Sequence, residues 1–430
     1  MAWESYKEKV KHLSVRIVNA QRPIRILDSI KWDPTVEAAF KASKGKELPE
    51  IDADYYSRMS PGFDLQKKND EFNEILTDIR TVLGPEDEIG KLLTKITEQY
   101  LLVTKLIESR GKRAFWEYSK QLYGSPKDTF PEDTNTIISL GNLLYSILTK
   151  VKDERLGPTY PKNLNAEDVV KALSANLGAY FAQDPLTVKI SDGIVADASA
   201  GGDSIKIRKE ASFSSRDISI LEVHEGWVHI GTTLNGRHQH VATWLSVGPP
   251  RVTSVQEGLA VLMEIITFNS YPRRARRIND RLLAVDKAED GANFLDIYDF
   301  FQTEGYPENE CYVNTMRIFR GGVVGGGAPF TKDISYCKGF VEDYNFIRAA
   351  IRAGKPEILP FLFVGKLHVD DIPLLYQRYQ EGIIDFPTYL PPQFRDLNGL
   401  FVWMSFSSFF NRVDLQRIQS RFDRLFKQYL

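Results

Sequence analysis

LEVHEGWVHIGTTLNG, residues 221–236, places two histidines and a glutamate in one short apolar segment, where His224, Glu225 and His229 spell H-E-x-x-x-H. Neutral imidazoles bind a borderline-soft cation such as zinc, and a carboxylate beside the first imidazole can take a proton from a metal-bound water. In the familiar helical zinc pattern the two histidines stand at i and i+4, about one turn apart, so both leave the same face. Here they stand at i and i+5. At about 100° per residue, five steps turn the second imidazole roughly 140° from the first, and a regular helix cannot bring the pair together. The spacing therefore predicts a π-bulge, a distortion that absorbs an extra residue and occurs mostly at functional sites. Gly226, directly after the glutamate, makes that distortion easier. Six residues alone carry limited specificity, since short motifs recur by chance and a histidine on an apolar helix commonly belongs to the core.

Residues 252–268, VTSVQEGLAVLMEIITF, supply a third donor. The pattern is that of an apolar helix with Thr253 or Ser254 as N-cap and Glu257 in its first turns. An acid between Val255 and Leu259 calls for a cation, because charged side chains are almost never buried unpaired. Zinc held by His224, His229 and Glu257, with water in the fourth position, meets that need and is a known catalytic arrangement. An arginine partner, or a position at the exposed helix start, also meets it. His238 and His240 could rival Glu257 as third ligand, but the loop they share with Asn235 and Gly236 reads as solvated.

HEGWVH (224–229), NGRHQH (235–240) and SVQEGLA (254–260) together resemble the family named for its QEGLA motif. That family includes bacterial proteins described as modulators of flavohaemoprotein expression and the animal microtubule-associated tyrosine carboxypeptidases, which remove the C-terminal tyrosine of tubulin. DASAGG (197–202) and MRIFRGG (316–322) are further family-like stretches, so the resemblance covers about residues 130–420. It implies a zinc metallopeptidase-like fold in which His224, His229 and Glu257 bind Zn2+ and Glu225 is the general base. It also implies a peptide or protein C-terminus as substrate, with an aromatic last residue.

At 430 residues and 43% hydrophobic, the chain is ample for a large core and unlike a disordered one. With 55 basic against 57 acidic residues the net charge is −2, which gives no global pull toward nucleic acid or anionic lipid, and neither nucleic acid nor membrane is expected as a partner. Two cysteines, Cys311 and Cys337, outside any C-x-x-C, exclude a disulfide scaffold and suit a reducing compartment. The opening MAWESYKEKVKHLSVRI is charged and amphipathic and lacks the apolar run of a secretory signal, so a cytoplasmic location is expected. GLFVWMSFSSFF (399–410) falls short of the roughly 20 apolar residues that span a bilayer and reads as a core helix.

The expected fold class is mainly α (α+β), multi-helical with a small antiparallel sheet ahead of the HExxxH helix. Helical periodicity over residues 4–30, 65–84 and 85–111, followed by the polar, proline-marked SPKDTFPED (125–133), predicts a helical scaffold over 1–130 and a catalytic domain over 131–430. LTVKI (186–190) and SIKIR (204–208) alternate as strands, and Ser214 or Ser215 caps the metal helix. Residues 203–209 are either a platform for an extended peptide added as a strand or an ordinary hairpin. PRRARRINDR (272–281) packs five arginines into ten residues, as a solvated helix face or a hold for an acidic tail. A carboxypeptidase also needs a cation for the terminal carboxylate, and the planar fork of arginine suits it. Arg320, within FRGG, is the first candidate and Arg251 the second; Tyr312 is a candidate oxyanion donor, although its helical spacing also suits the core. His368 reads as a helix-start residue, and VDLQRIQSRFDRLFKQYL (413–430) as an amphipathic helix.

The expected chemistry is hydrolysis: zinc lowers the pKa of its water, Glu225 takes the proton, and the leaving amine receives it back. The rival is a non-catalytic regulatory or binding protein that keeps the fold. Glu225 argues against it, because a structural zinc site closes with four protein ligands and needs no base.

Overall fold

A computed structural model describes residues 2–151, 155–158, 160–410 and 413–429. The architecture is mainly helical with one small sheet. The first helix, Ala2–Gln21, buries Val10, Leu13, Ile17 and Ala20, the three- and four-residue spacing of one helical face. Leu65–Leu83 is capped by the Asp64 carboxylate and ends at Gly84, while Glu88–Glu108 is capped by Asp87. These helices bury Phe72, Ile75, Ile79, Leu93, Val103 and Ile107 in the same core cluster as Val223, Val228, Val255 and Leu259, which lie in or directly beside the HExxxH and QEGLA motifs. The soft boundary expected near residue 130 is thus crossed by that cluster, and the scaffold supports the site directly. Asn398–Phe410 departs from the core helix expected there: only Leu400 and Met404 are buried, and its aromatic side chains face solvent.

The sheet has three strands, β1 (Thr187–Ser191), β2 (Ala198–Gly201) and β3 (Ser204–Arg208), in the order β1-β3-β2. β2 pairs antiparallel with β3, as expected of neighbours joined by a Gly-Asp turn, but β1 pairs parallel with β3, so the sheet is mixed. Alternation identifies which residues face the core, here Ile205 and Ile207, and says nothing about which strands pair. One consequence corrects the substrate-platform expectation. Residues 204–208 form the central strand, hydrogen-bonded on both sides, and offer no free edge; the edge nearest the HExxxH motif is β2.

Ser214 caps the next helix, Ser215–Leu221, through a capping box with Asp217. The chain continues without a break into a π-helix over Glu222–Ile230 and returns to α geometry over Gly231–Arg237. The QEGLA helix, Thr253–Ile266, follows a short 3-10 turn, Pro250–Val252; Val252 holds its N-cap position without a side-chain bond, where Thr253 or Ser254 was expected.

Candidate metal centre

A π-helix closes hydrogen bonds between residues five apart, so His224 and His229, five apart, stand about one turn from each other. The predicted distortion is present as a nine-residue π segment spanning both histidines, and their ring centroids are 4.9 Å apart. Gly226 has a further reason to be glycine: a Cβ there would lie 2.4 Å from Leu177 Cδ2 on the helix Ala166–Tyr180. The QEGLA glycine plays a matching part. A Cβ on Gly258 would meet the Gly339 carbonyl carbon at 2.0 Å, so the QEGLA helix lies backbone to backbone on the helix Ser335–Arg352.

Glu257 faces both histidines. Its Oε2 is 3.6 Å from His224 Nε2 and 3.6 Å from His229 Nε2, and donor atoms of the three residues lie within 4.8 Å of one another. A distance of 3.6 Å is too long for a hydrogen bond. It is close to the roughly 3.3 Å that separates ligands bound at about 2.0–2.1 Å around a tetrahedral zinc. Two of the three side chains are also tied on their far side. His224 Nδ1 lies 2.7 Å from Glu264 Oε1, and Lys332 Nζ donates to Glu257 Oε1 at 2.8 Å, leaving His224 Nε2 and Glu257 Oε2 for the shared point. A carboxylate behind a metal-binding imidazole fixes the ring and raises its basicity. Glu264 is itself held by Arg274, at 2.8 Å and 3.2 Å.

The electrostatics follow from these pairings. Burial works against the charged form of His224, but the Glu257 and Glu264 carboxylates beside it outweigh burial and bring the imidazole up to about 9. Burial also opposes ionisation of Glu257, yet Lys332 and the two imidazoles hold its carboxyl well below the usual range. Glu264, buried against Arg274 and His224, is brought down to about 2. Glu225 is buried beside them, and its Oε2 accepts from the Ala200 amide of β2 at 2.8 Å. Among the described residues no cation lies within salt-bridge distance of Glu225.

A cavity opens onto His224 and Glu225, and the arginine helix, Pro272–Glu289, forms part of its wall. Arg274, Arg277 and Arg281 all line it, so the arginine run is in good part a cavity wall rather than a solvated face. Arg277 pairs with Asp197, and Arg317, from Glu308–Phe319, forms two bonds to Asp333 at 2.7 Å and 2.8 Å. Arg281 differs: among the described residues it has no carboxylate partner, only Asn314 Oδ1 at 2.9 Å. Burial, with Arg317 close by, pushes its guanidinium down to about 9, a sign of unmet charge.

The three residues expected to bind substrate lie elsewhere, and none lines this cavity. Arg251 is committed to Asp371 through bonds of 2.6 Å and 3.0 Å. Tyr312 is buried in an aromatic cluster with Phe40 and Phe294. Arg320 is buried over the Phe330 ring with Nε unpartnered. Each was chosen for residue type and nearness in sequence, and those do not report which way a side chain points. His238 and His240 are bonded to Asp184 and Asp385, away from the donor cluster, and His368 accepts from the Asp370 amide as a cap. Sequence reasoning missed Glu264 and Lys332, and met Arg281 only as one member of the arginine run. Glu264 left a signal: it stands seven residues after Glu257, two turns along the same helix face. Lys332 left none, and the arginine run did not single out Arg281.

A family model described as microtubule-associated tyrosine carboxypeptidase matches residues 38–412. The chain belongs to that family. The matched region runs from the N-terminal scaffold through both motifs, in keeping with the shared core. No curated protein matches the sequence. Among solved structures, one described as a lipoprotein from Colwellia psychrerythraea aligns at 12% identity and a TM-score of 0.41, over 74% of this chain; the chain spans 64% of that protein's length. No helix among the described residues is long and apolar enough to cross a membrane.

Proposed function

We propose that this member of the tyrosine carboxypeptidase family is a zinc-dependent carboxypeptidase that releases the last residue of a peptide or protein, with an aromatic terminal residue preferred. The observation that carries the reading is the convergence of His224, His229 and Glu257 on one point, with Glu225 buried next to it. When bound there, zinc supplies Lewis acidity and a nucleophile at neutral pH. The remaining work falls to the chain's own residues. Because the Ala200 amide occupies Glu225 Oε2, Oε1 is the atom left to take up a proton and pass it to the leaving amine. Lys332 and Glu264 hold Glu257 and His224 in their aimed orientations. Arg281 is the cation we assign to the substrate's terminal carboxylate, in place of Arg320 and Arg251, because it faces the cavity with its charge unpaired. The outer edge of β2, whose Ala200 amide points at Glu225, suits an extended peptide better than residues 203–209 do.

The test is metal analysis of purified wild type beside Glu257→Ala, with release of C-terminal amino acids from a peptide library scored on the same samples. About one zinc per chain, lost in the variant together with release, is the expected result. Zinc without release from any free C-terminus would overturn the carboxypeptidase reading and favour a binding protein that keeps the fold. No zinc at all would overturn the metal centre.

A further inference from the structure

Leu415–Tyr429 buries none of its described side chains, and it lies beyond residues 38–412, the region that defines the family. At about 100° per residue, Leu415, Ile418, Phe422, Leu425, Phe426 and Tyr429 fall within an arc of about 100°. All six are exposed, Leu415 at 66% and Tyr429 at 74%. The opposite arc carries Arg417, Arg421, Arg424 and Lys427, and the helix has a single acid, Asp423. In a chain of net charge −2 this is a local concentration of positive charge. The preceding helix, Asn398–Phe410, adds a second apolar face opposite its buried Leu400 and Met404: Trp403, Phe406, Phe409 and Phe410 are exposed, Phe406 at 75%, and the helix carries no charged residue.

We infer that these two helices form a surface that lies on anionic lipid, with the apolar arcs in the interface and the arginines toward the headgroups. Charge complementarity selects this occupant. A basic polar face opposite Phe and Leu is the composition of a helix that rests in the interfacial plane, and exposed Trp and Phe suit the same depth. A second copy of the chain fits less well. The apolar stripe of Leu415–Tyr429 lasts only about two heptads, short of the three or four a coiled coil needs, and Arg421 at its edge finds no acid in the flanking positions to pair with. The surface lies on the membrane and does not cross it, since no described helix is long and apolar enough to span. The expectation of no membrane partner came from the net charge, which averages this basic segment away.

The experiment is co-sedimentation of the full chain with vesicles of phosphatidylcholine, alone or mixed with phosphatidylglycerol, at low and high salt. The wild type is expected to sediment with the mixed vesicles and to be released by salt. Replacing Arg417, Arg421 and Arg424 with Gln should weaken binding by about fivefold per arginine at low salt. Phe422→Glu with Phe426→Glu should abolish binding to the mixed vesicles with the thermal midpoint unchanged, because the helix buries none of its described side chains. Wild type that stays in the supernatant, or a Phe422→Glu/Phe426→Glu variant that sediments like wild type, overturns the inference. A wild-type dimer that ignores vesicles and is split by the same variant overturns it in favour of a second copy.

Discussion

Replacing Glu264 separates its two duties, since one carboxylate faces both His224 Nδ1 and the Arg274 guanidinium. Glu264→Gln keeps an oxygen that can accept from His224 but removes the negative charge; Glu264→Ala removes both. Loss of a carboxylate behind a metal-binding imidazole weakens metal binding by about 10- to 100-fold, which is about 1.4–2.7 kcal/mol. Loss of one partner from a buried pair leaves the other charge without compensation and costs about 3–5 kcal/mol. Glu264 is fully buried, and the Arg274 side chain is only 13% exposed, so solvent offers little relief. We expect Glu264→Gln to weaken zinc binding by about tenfold, measured by competition with a chelating dye. Glu264→Ala should weaken it further and lower the stability of the apoprotein by several kcal/mol in urea titrations. The double change Glu264→Leu with Arg274→Met should recover much of that stability but none of the zinc affinity, because it removes the stranded charge without restoring the imidazole's partner. If the double variant, or Glu264→Ala itself, binds zinc as tightly as wild type, Glu264 merely neutralises Arg274 and the account of the imidazole's far side is wrong.

Glu225→Gln should retain about one zinc per chain and lose about 10²- to 10⁴-fold in kcat for peptide release, measured against wild type; an equal loss of zinc would recast Glu225 as a structural residue. Because the His224 imidazole is raised from about 6.5 to about 9, the apoprotein carries a proton there across neutral pH, and a metal must displace it. Zinc affinity should therefore climb by about tenfold per pH unit until about pH 9, and a flat profile between pH 7 and 8.5 would contradict it. The same raised imidazole stabilises the apoprotein fully below about pH 6.5 and loses that contribution as pH rises through about 9. Gly226→Ala should lower stability by about 1–3 kcal/mol in thermal or urea unfolding, since its Cβ would lie 2.4 Å from Leu177 Cδ2, and Leu177→Ala in the same chain should recover part of the loss. Arg281→Ala should raise KM for peptides with a free C-terminus while leaving zinc content intact, and an unchanged KM would send the search for the carboxylate's cation elsewhere.

The convergence of His224, His229 and Glu257 was legible because its information is local. The five-residue offset of His224 and His229 is incompatible with a regular helix, so the π segment follows from the hypothesis that both bind one metal. Glu257 was legible as a charge in an apolar helix. The residues missed or misplaced depend on tertiary packing. Lys332 reaches Glu257 only because a 3-10 turn, Thr331–Ile334, brings it beside the QEGLA helix. Arg281 is distinguished from its four neighbours in the arginine run by having no carboxylate partner among the described residues, which no sequence pattern encodes. Arg251 and Tyr312 have suitable chemistry but are spent on Asp371 and an aromatic cluster, and Arg320 lies over the Phe330 ring, off the cavity wall. The mixed sheet was misread for the same reason, since alternation fixes faces and not neighbours.

The balance of charges around the centre gives the proposed reading its direction. Glu257 is matched by Lys332, Glu264 by Arg274, Asp197 by Arg208 and Arg277, and Asp333 by Arg317. On the cavity wall Glu225, held by an amide, and Arg281, held by an asparagine, stand outside these pairings, as does the half-exposed Lys162, while Glu310 pairs with Arg273 and Asp217 accepts from the Ser214 amide and the Tyr271 hydroxyl. Buried charges are costly without a partner, so leaving two of opposite sign on the wall of one cavity without pairing them to each other calls for a ligand that meets both. A peptide C-terminus does so: its carboxylate complements Arg281, and the amine released at the scissile bond accepts the proton that Glu225 carries. A structural metal site would need neither unmatched group. That is why the proposed reading favours turnover, and why substitutions at Arg281 and Glu225, which leave the three proposed donors untouched, are the ones that separate a carboxypeptidase from a zinc-binding scaffold.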